Sequence, residues 1–193
     1  MLKIQELCFS YDRNKDVLQY FSMELKKGEL VALMGPSGCG KSTLLQIIAG
    51  FQSPNFGSVQ CNTKKISYAF QEPRLFPWMT VEENLRTVQP HPNKEQIKDV
   101  LGMVDMIGSE ALYPDELSGG MKSRISLARA LLYDGDLFLL DEPFSALDQE
   151  LRSSLSANIR EYLKSRNASA ILVTHQKEDA TIFADRIITM GLS

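Results

Sequence analysis

The sequence is poor in the residues that define several classes of protein. Its three cysteines are scattered at Cys8, Cys39 and Cys61, which predicts reduced thiols of the kind found in cytosolic proteins and argues against a disulfide framework or a metal site. No apolar run approaches the roughly 20 residues that a membrane-spanning helix needs, and residues 1–17 lack the apolar centre of a signal peptide. The net charge is only −3, so the chain has no overall electrostatic attraction for nucleic acid.

What stands out in the 193-residue chain is a glycine-rich loop between an apolar run typical of a buried strand and a segment typical of a helix. The loop consists of Gly35, Pro36, Ser37, Gly38, Cys39, Gly40, Lys41, Ser42 and Thr43. It fits the pattern G-x-x-x-x-G-K-[ST], in which backbone N–H groups form an anion nest at a helix N-terminus. In this pattern the lysine reaches the β- and γ-phosphates, and the serine hydroxyl can ligate Mg²⁺. The strand–helix context disfavours a chance match, so the loop predicts nucleotide phosphate binding.

Apolar residues elsewhere follow either a strand period or a helix period. Strands are predicted at residues 2–9, 20–25, 30–34, 58–61, 65–70, 136–140, 170–174 and 186–190. Residues 73–133 look all-helical, and Thr80 with Glu83 predicts a capping box at the start of one helix. The pattern predicts an α/β protein with an inserted helical segment.

Polar residues come at or directly after the ends of four predicted strands, at Gly35, Gln71, Asp141 and His175. An open parallel sheet binds ligands outside the carboxyl ends of its strands, so we expect these residues to converge. In this setting Asp141 would hold Mg²⁺ through its water shell and Glu142 would polarise the attacking water as general base. The alternative is an acidic strand end that is simply solvated. Gln71 can contact both Mg²⁺ and water, and His175 can donate to the γ-phosphate or to the water, although a lone histidine is usually structural.

A second anion nest is predicted inside the helical segment. Ser118, Gly119 and Gly120 precede a helix, where a hydroxyl and unpaired N–H groups favour an anion. Nothing in the sequence brings these residues near Lys41 of the same chain. The pattern therefore suggests that the second nest serves the nucleotide of another copy of the chain.

Together these motifs resemble the ATP-binding cassette (ABC) ATPases, from Tyr11 to the strand ending near Met190. The matching residues are the loop GPSGCGKST, Gln71, LSGGM at 117–121, LFLLDEP at 137–143, SALD at 145–148, and His175. The resemblance implies a P-loop NTPase (RecA-like) parallel-sheet core with an antiparallel β part, formed by residues 1–72 and 134–193. It also implies that residues 73–133 form a helical subdomain carrying the signature motif, within one ABC ATPase domain of residues 1–193.

The resemblance implies a role for each motif residue, with ATP and Mg²⁺ sandwiched between two head-to-tail copies. The implied roles are adenine stacking for Tyr11, phosphate binding for Gly35 to Thr43, Mg²⁺ ligation for Ser42, Gln71 and Asp141, contact with the facing subunit's γ-phosphate for Ser118, Gly119 and Gly120, communication across the dimer for Asp148, and catalysis for Lys41, Gln71, Glu142 and His175. From the residues alone, Tyr11 is read equally well as a turn aromatic or as a platform for adenine.

Residues 70–85, FQEPRLFPWMTVEENL, look most like the corresponding segment of the nitrate/sulfonate/taurine group of bacterial importers. Importers of pyrimidine precursors have a similar sequence pattern. In that group the segment faces the membrane subunit, which makes Leu75, Phe76 and Trp78 candidate contacts. Packing within the helical insert is the equal alternative for these side chains. The resemblance implies transmembrane permease subunits, a substrate-binding protein, no nucleic acid, and a place on the cytoplasmic face of the cell membrane.

Three departures from the family pattern accompany this interpretation. Met121 ends the signature where glutamine is commoner, Gln176 follows the histidine where aspartate is usual, and the sequence stops at Ser193, where importer cassettes continue. Two competing functions remain, a soluble cassette ATPase without a transporter and a non-hydrolysing nucleotide-binding regulator. The acidic balance argues against the first, and retention of Gln71, Glu142 and His175 argues against the second.

Overall fold

The computed structural model describes residues 1–12, 16–89 and 93–191. The strands are β1 (Leu2–Ser10), β2 (Asp16–Leu25), β3 (Leu30–Met34), β4 (Phe56–Cys61), β5 (Ile66–Ala69), β6 (Leu137–Asp141), β7 (Ser169–Val173) and β8 (Arg186–Thr189). The helices are α1 (Lys41–Ile48), α2 (Val81–Arg86), α3 (Lys94–Met103), α4 (Gly119–Tyr133), α5 (Gln149–Ser165) and α6 (Lys177–Phe183), with a short 3₁₀ helix at Pro114–Glu116. Among the described residues, no helix has the length and apolar character needed to cross a membrane.

Five strands form a parallel sheet in the order β5-β6-β7-β3-β8. The pairing of Leu33 with Val173, and of Leu140 with Leu172, sets the register of its central strands. The runs of β3, β6 and β7 are almost wholly buried, as expected for parallel strands covered on both faces. Because all five strands run in the same direction, the loops after β3, β5, β6 and β7 lie along one edge, as predicted.

Two hydrophobic cores cover the two faces of the parallel sheet. Side chains alternate between the faces along each strand, so Val31 and Leu33 pack towards α1 and the strands of a second sheet. Phe138 and Leu140 pack on the opposite face, among side chains of α2 to α6. Burying each of these side chains stabilises the fold by about 1.5–3 kcal/mol. The sheet is therefore a rigid platform for the loops at its carboxyl edge.

The second sheet is antiparallel, with the order β2-β1-β4. Its strand β2 begins at Asp16 instead of at the predicted residue 20. The sequence pattern misses the first part of β2 because the register against β1 shifts at bulges, and Tyr20 takes a left-handed backbone conformation with φ of 47°. A bulge breaks the strict alternation of inward and outward side chains, which is the signal used to recognise a strand.

The helices α2, α3 and α4 lie between β5 and β6, within the predicted helical segment. The predicted capping box is present, since Thr80 Oγ1 accepts from the Glu83 N–H at 3.2 Å and the Glu83 carboxylate accepts from the Thr80 N–H at 2.8 Å. The next helix has a capping box of the same kind, formed by Asn93 and Gln96. Ser118 caps α4, with its Oγ accepting from the Met121 N–H at 3.3 Å.

Candidate nucleotide-binding and catalytic site

The glycine-rich loop joins β3 to α1, and its backbone requires glycine at its two ends. Gly40 precedes α1 in a left-handed conformation with φ of 95°. A Cβ atom there would lie 2.8 Å from Leu18 Cδ2 and 2.9 Å from the Val17 carbonyl oxygen, so β2 runs directly past the loop. At Gly35 a Cβ atom would lie 2.5 Å from the Met190 carbonyl oxygen. Larger side chains at either position would push the loop away from the sheet.

Lys41 holds a buried positive charge inside this loop. Its side chain starts in the first turn of α1, and the residue is only 7% exposed. The ammonium donates to the carbonyl oxygens of Gly35 at 2.8 Å and Pro36 at 2.9 Å, and it lies 3.8 Å from Cys39 Sγ. An ammonium has three protons, so the two carbonyl bonds fix its position, and the long contact with Cys39 Sγ is the one that a bond to an anion in the loop would replace.

Ser42 and Asp141 come together from the loop and from the end of β6. The serine hydroxyl donates to Asp141 Oδ1 at 2.9 Å, and the Tyr68 hydroxyl lies 3.5 Å from Oδ2. Burial raises the pKa of Asp141 above its usual range, the Ser42 hydrogen bond opposes that rise, and the charge of Glu142 adds to it. A desolvated carboxylate beside a hydroxyl is an oxygen donor set that a hard divalent cation such as Mg²⁺ would stabilise.

Glu142 and His175 meet at the ends of the neighbouring strands β6 and β7. His175 Nδ1 lies 3.3 Å from Glu142 Oε2, and the glutamate side chain is 20% exposed. Glu142 takes a left-handed conformation with φ of 48°, and its N–H donates to the Val173 carbonyl oxygen at 3.0 Å. A non-glycine residue held at positive φ indicates backbone strain of the kind found at functional sites.

Part of this group lines one open cavity of about 290 Å³, whereas Asp141 and His175 lie just outside its lining. It is lined by Tyr11, Val17, Ser37, Gly38, Gly40, Lys41, Ser42, Thr43, Gln71 and Glu142. The structure thus brings together the phosphate loop, Gln71 and Glu142, which the sequence placed at three strand ends. A larger cavity of about 480 Å³, beside Asp134 and Asp136, contains none of the predicted site residues.

Tyr11 lies at the rim of the cavity that holds Lys41. The residue is 62% exposed, and its ring meets the Phe9 ring edge-on, with centroids 4.9 Å apart. Its hydroxyl forms a hydrogen bond with Thr43 Oγ1 at 3.0 Å. The side chain is therefore tethered beside the phosphate loop with its ring accessible, which is the arrangement that a stacking platform needs.

The predicted second nest lies outside this cavity, as does Asp148. In the part of the chain that the structure describes, Ser118, Gly119 and Gly120 do not line the cavity that holds Lys41. A Cβ atom on Gly120 would lie 3.0 Å from the Ala146 carbonyl oxygen, so the nest packs beside the turn that leads to Asp148. Asp148 in turn caps α5, with Oδ1 accepting from the Leu151 N–H at 3.0 Å. The structure separates the predicted site into two groups of residues.

Sequence reasoning missed Tyr68, whose hydroxyl points to Asp141. The signal was present, because Tyr68 belongs to a predicted strand and a half-buried tyrosine usually has a hydrogen-bond partner. Naming that partner requires knowledge that β5 pairs with β6, which the order of strands along the chain does not reveal.

Comparison with known sequences agrees with this geometry. The family model described as ABC transporter matches residues 18–145, well over half of the chain. The aliphatic sulfonates import ATP-binding protein SsuB of Bacillus cereus is 41% identical over 189 residues, which cover 93% of this chain and 75% of that protein. The protein of the same name from Bacillus subtilis is 39% identical over 197 residues, covering 96% of this chain and 77% of its own length.

Comparison with solved structures confirms the predicted fold class. A dimeric bacterial ABC transporter cassette, MJ0796, matches with a TM-score of 0.90 at 27% identity, covering 98% of this chain and 94% of that chain. The dimeric post-hydrolysis state of the same cassette, bound to ADP and Pi, matches with a TM-score of 0.89 at 28% identity over the same shares. The chain belongs to the ABC transporter family and is one of its ATP-binding, ATP-hydrolysing cassettes.

Proposed function

We propose that this cassette powers a bacterial importer by closing, as a head-to-tail pair, over two molecules of ATP. The observation that carries the proposal is the division of the site into two groups. Lys41, Ser42 and Glu142 share one cavity, whereas Ser118 and Asp148 lie outside it, at the starts of α4 and α5. The matching structures are titled as dimeric cassettes, which supports completion of each site by a second copy.

The residues of the phosphate loop would bind ATP through their backbone and through the buried ammonium. Tyr11 would stack on adenine at the rim, while the loop N–H groups and Lys41 would hold the phosphates. Ser42, Gln71 and Asp141 offer only oxygen ligands, which suit a magnesium ion, and that ion would neutralise charge on the β- and γ-phosphate oxygens. Gln71 lines the same cavity as Glu142, so it would also contact the attacking water during catalysis.

Glu142 would orient and polarise the attacking water, because its carboxylate lines the same cavity as Lys41. His175, 3.3 Å from that carboxylate, would hold Glu142 in place and donate to the γ-phosphate or to the water. Ser118 of the second copy would contact the γ-phosphate from the opposite side, through its hydroxyl and the N-terminus of α4. Hydrolysis would then loosen the pair.

The loop before α2 is the surface that we assign to the permease. Trp78 is 68% exposed and Phe76 is 39% exposed, with ring centroids 5.6 Å apart. Leu75, by contrast, packs against the core. We therefore interpret Leu75 as a packing residue of the helical insert, and Phe76 and Trp78 as the residues that contact the permease. The fully buried Asn84 holds this loop, since its side chain bonds the backbone of Phe76 at both N–H and carbonyl, at 2.8 and 3.1 Å.

The wider assembly follows from the same assignment. We propose transmembrane permease subunits and a substrate-binding protein as partners, and a peripheral position on the cytoplasmic face of the membrane. The names of the Bacillus relatives support an aliphatic sulfonate as cargo. Residues 73–133 would act as a subdomain that moves against the core formed by residues 1–72 and 134–193. No observation favours a soluble cassette ATPase over this assignment.

Replacing Lys41 by alanine tests the phosphate loop. The change removes a buried cation, and hydrogen bonds to charged groups contribute about 1.5–3 kcal/mol each, so we expect ATP affinity to fall by about 10- to 100-fold. Isothermal titration with ATP measures the affinity, and Lys27→Ala, at the opposite edge of the sheet, serves as control. Unchanged affinity in Lys41→Ala would contradict the assignment of the loop.

Replacing Trp78 by alanine tests the permease surface. We expect ATPase activity of the isolated cassette to stay within about twofold, because Trp78 lies outside the cavity, and co-purification with a co-expressed permease to fall, because exposed aromatic anchors dominate interfaces. Ile107→Ala is the matched control, since Ile107 is an apolar side chain of the helical segment with 63% exposure. Normal co-purification and transport with Trp78→Ala would remove this residue from the interface.

A further inference from the structure

Two helices that follow site residues are joined by a buried ion pair. The helix α5 begins after Asp148, and α6 begins shortly after His175. Arg152 Nε lies 3.3 Å from Asp179 Oδ1, and the two side chains are only 15% and 3% exposed. Removing one member of a buried pair leaves the other charge without compensation, so the positions of the two helices depend on each other.

The arginine is tied to the residue assigned to communication across the dimer. The Arg152 N–H donates to the Asp148 carbonyl oxygen at 3.0 Å, and the Asp148 side chain caps the same turn of α5. A displacement of Asp148 therefore moves the backbone that carries Arg152. The turn is short and hydrogen-bonded at both ends, which favours movement as a unit.

The aspartate is tied to the turn that holds His175. Asp179 Oδ2 accepts from the Thr174 hydroxyl at 3.3 Å, and the same hydroxyl accepts from the Gln176 N–H at 3.1 Å. His175 is the residue between them. Thr174 is buried, and its N–H donates to the Leu33 carbonyl oxygen of β3 at 3.2 Å. Asp179 thus sets the geometry of the turn from which His175 reaches Glu142.

The ion pair is also incompletely hydrogen-bonded. Within the described residues, Asp179 Oδ1 is buried without a hydrogen-bond donor, although the Arg152 guanidinium lies beside it. Burial raises the pKa of Asp179, while the charge of Arg152 opposes that rise. The contact between Arg152 and Asp179 Oδ1 is therefore a charge–charge contact without a hydrogen bond.

We propose that Arg152 and Asp179 are positioning residues that couple the Asp148 turn to His175 within one chain. The proposal rests on the proposed function, in which Asp148 meets the facing copy. When the two copies of the chain close over ATP, the first turn of α5 is displaced. Arg152 carries that displacement to the Asp179 carboxylate on α6. The turn at Thr174 then moves His175 relative to Glu142. One site thereby senses the arrival of the second copy through this buried contact.

Kinetics with a matched control give the first test. We expect Arg152→Gln and Asp179→Asn each to lower kcat about tenfold, with the affinity for ATP changed less than about twofold. The double variant should be about as slow as the slower single variant, and Arg152→Lys, which keeps the charge, should recover most of the rate. Gln149→Ala removes an exposed hydrogen bond between the same helices, from Gln149 Nε2 to Glu178 Oε2 at 3.0 Å, and should leave kcat unchanged. Losses that multiply in the double variant, or ATP affinity falling together with kcat, would overturn the proposal.

Nuclear magnetic resonance of His175 gives a test that does not depend on hydrolysis. The chain has two histidines, so a His91→Gln background leaves His175 as the one imidazole. We expect Arg152→Gln to shift the His175 ring signals, through Asp179 and Thr174, whereas Gln149→Ala leaves them in place. An unmoved His175 signal in Arg152→Gln would overturn the coupling and leave the proposed function standing, because the measurement needs no turnover.

Discussion

With Glu142 replaced by glutamine, kcat for ATP hydrolysis is expected to fall by about 10²–10⁴-fold while ATP stays bound. Glutamine matches the shape of glutamate but cannot take a proton from water at neutral pH. The phosphate loop is unaltered, since Glu142 reaches the cavity from the end of β6, opposite Lys41 and Ser42. The variant therefore keeps the ATP binding that closes the two copies of the chain, and it loses the hydrolysis that separates them.

The same Glu142→Gln variant should accumulate as an ATP-bound dimer. Steady-state hydrolysis gives the rate, and size-exclusion chromatography with and without ATP gives the oligomeric state. Glu150→Gln, an acidic residue in the first turn of α5, is the matched control and should behave like the unmodified chain. Turnover at the normal rate, or a persistent monomer with ATP at high protein concentration, would contradict the role given to Glu142.

Replacing Ser118 by aspartate should abolish turnover without harming the helix that Ser118 caps. Aspartate is as good an N-cap as serine, so the hydrogen bond now made to the Met121 N–H has a replacement. Its carboxylate, however, would face the γ-phosphate of the second copy, and like charges repel strongly where water is excluded. We expect kcat to fall by at least about 10²-fold, the effect of losing one donor to a developing negative charge.

The variant Ser118→Asn distinguishes the effect of a negative charge at this position from the effect of changing the helix cap. Ser118→Asn keeps a good cap without the negative charge, so it should retain much more activity than Ser118→Asp. Binding of ATP to the single chain should be unchanged in both, because Ser118 does not line the cavity that holds Lys41. Normal turnover in Ser118→Asp would show that hydrolysis needs neither the anion nest at Ser118 nor the second copy of the chain that supplies it.

The sequence predicted those parts of the site that depend on local pattern. The glycine-rich loop was recognisable because its geometry demands glycine at fixed spacing, as the contacts at Gly35 and Gly40 show. The strands β3, β6 and β7 were recognisable because burial on both faces requires short continuous apolar runs. Their parallel direction then placed the loop, Gln71, Asp141 and His175 at one edge, as the structure has them.

Features that depend on pairing between distant segments were not predictable. The position of β7 between β3 and β6, which sets His175 beside Glu142, follows from packing of the whole sheet. The contacts of Tyr68 with Asp141 and of Arg152 with Asp179 join residues far apart in sequence, and nothing local specifies them. The start of β2 was missed for a related reason, because bulges opposite β1 disrupt its alternation.

The central claim is that each site takes its phosphate loop from one chain and Ser118 from another, and mixing two variants that are each defective in one of these parts tests it directly. Lys41→Ala damages only the loop and Ser118→Asp only the nest, so a mixed pair holds one site with both defects and one intact site. At an ATP concentration too low to saturate Lys41→Ala, the account predicts that each variant alone is nearly inactive and that an equal mixture recovers up to about a quarter of the normal ATPase rate. A mixture no more active than its two components would contradict the account.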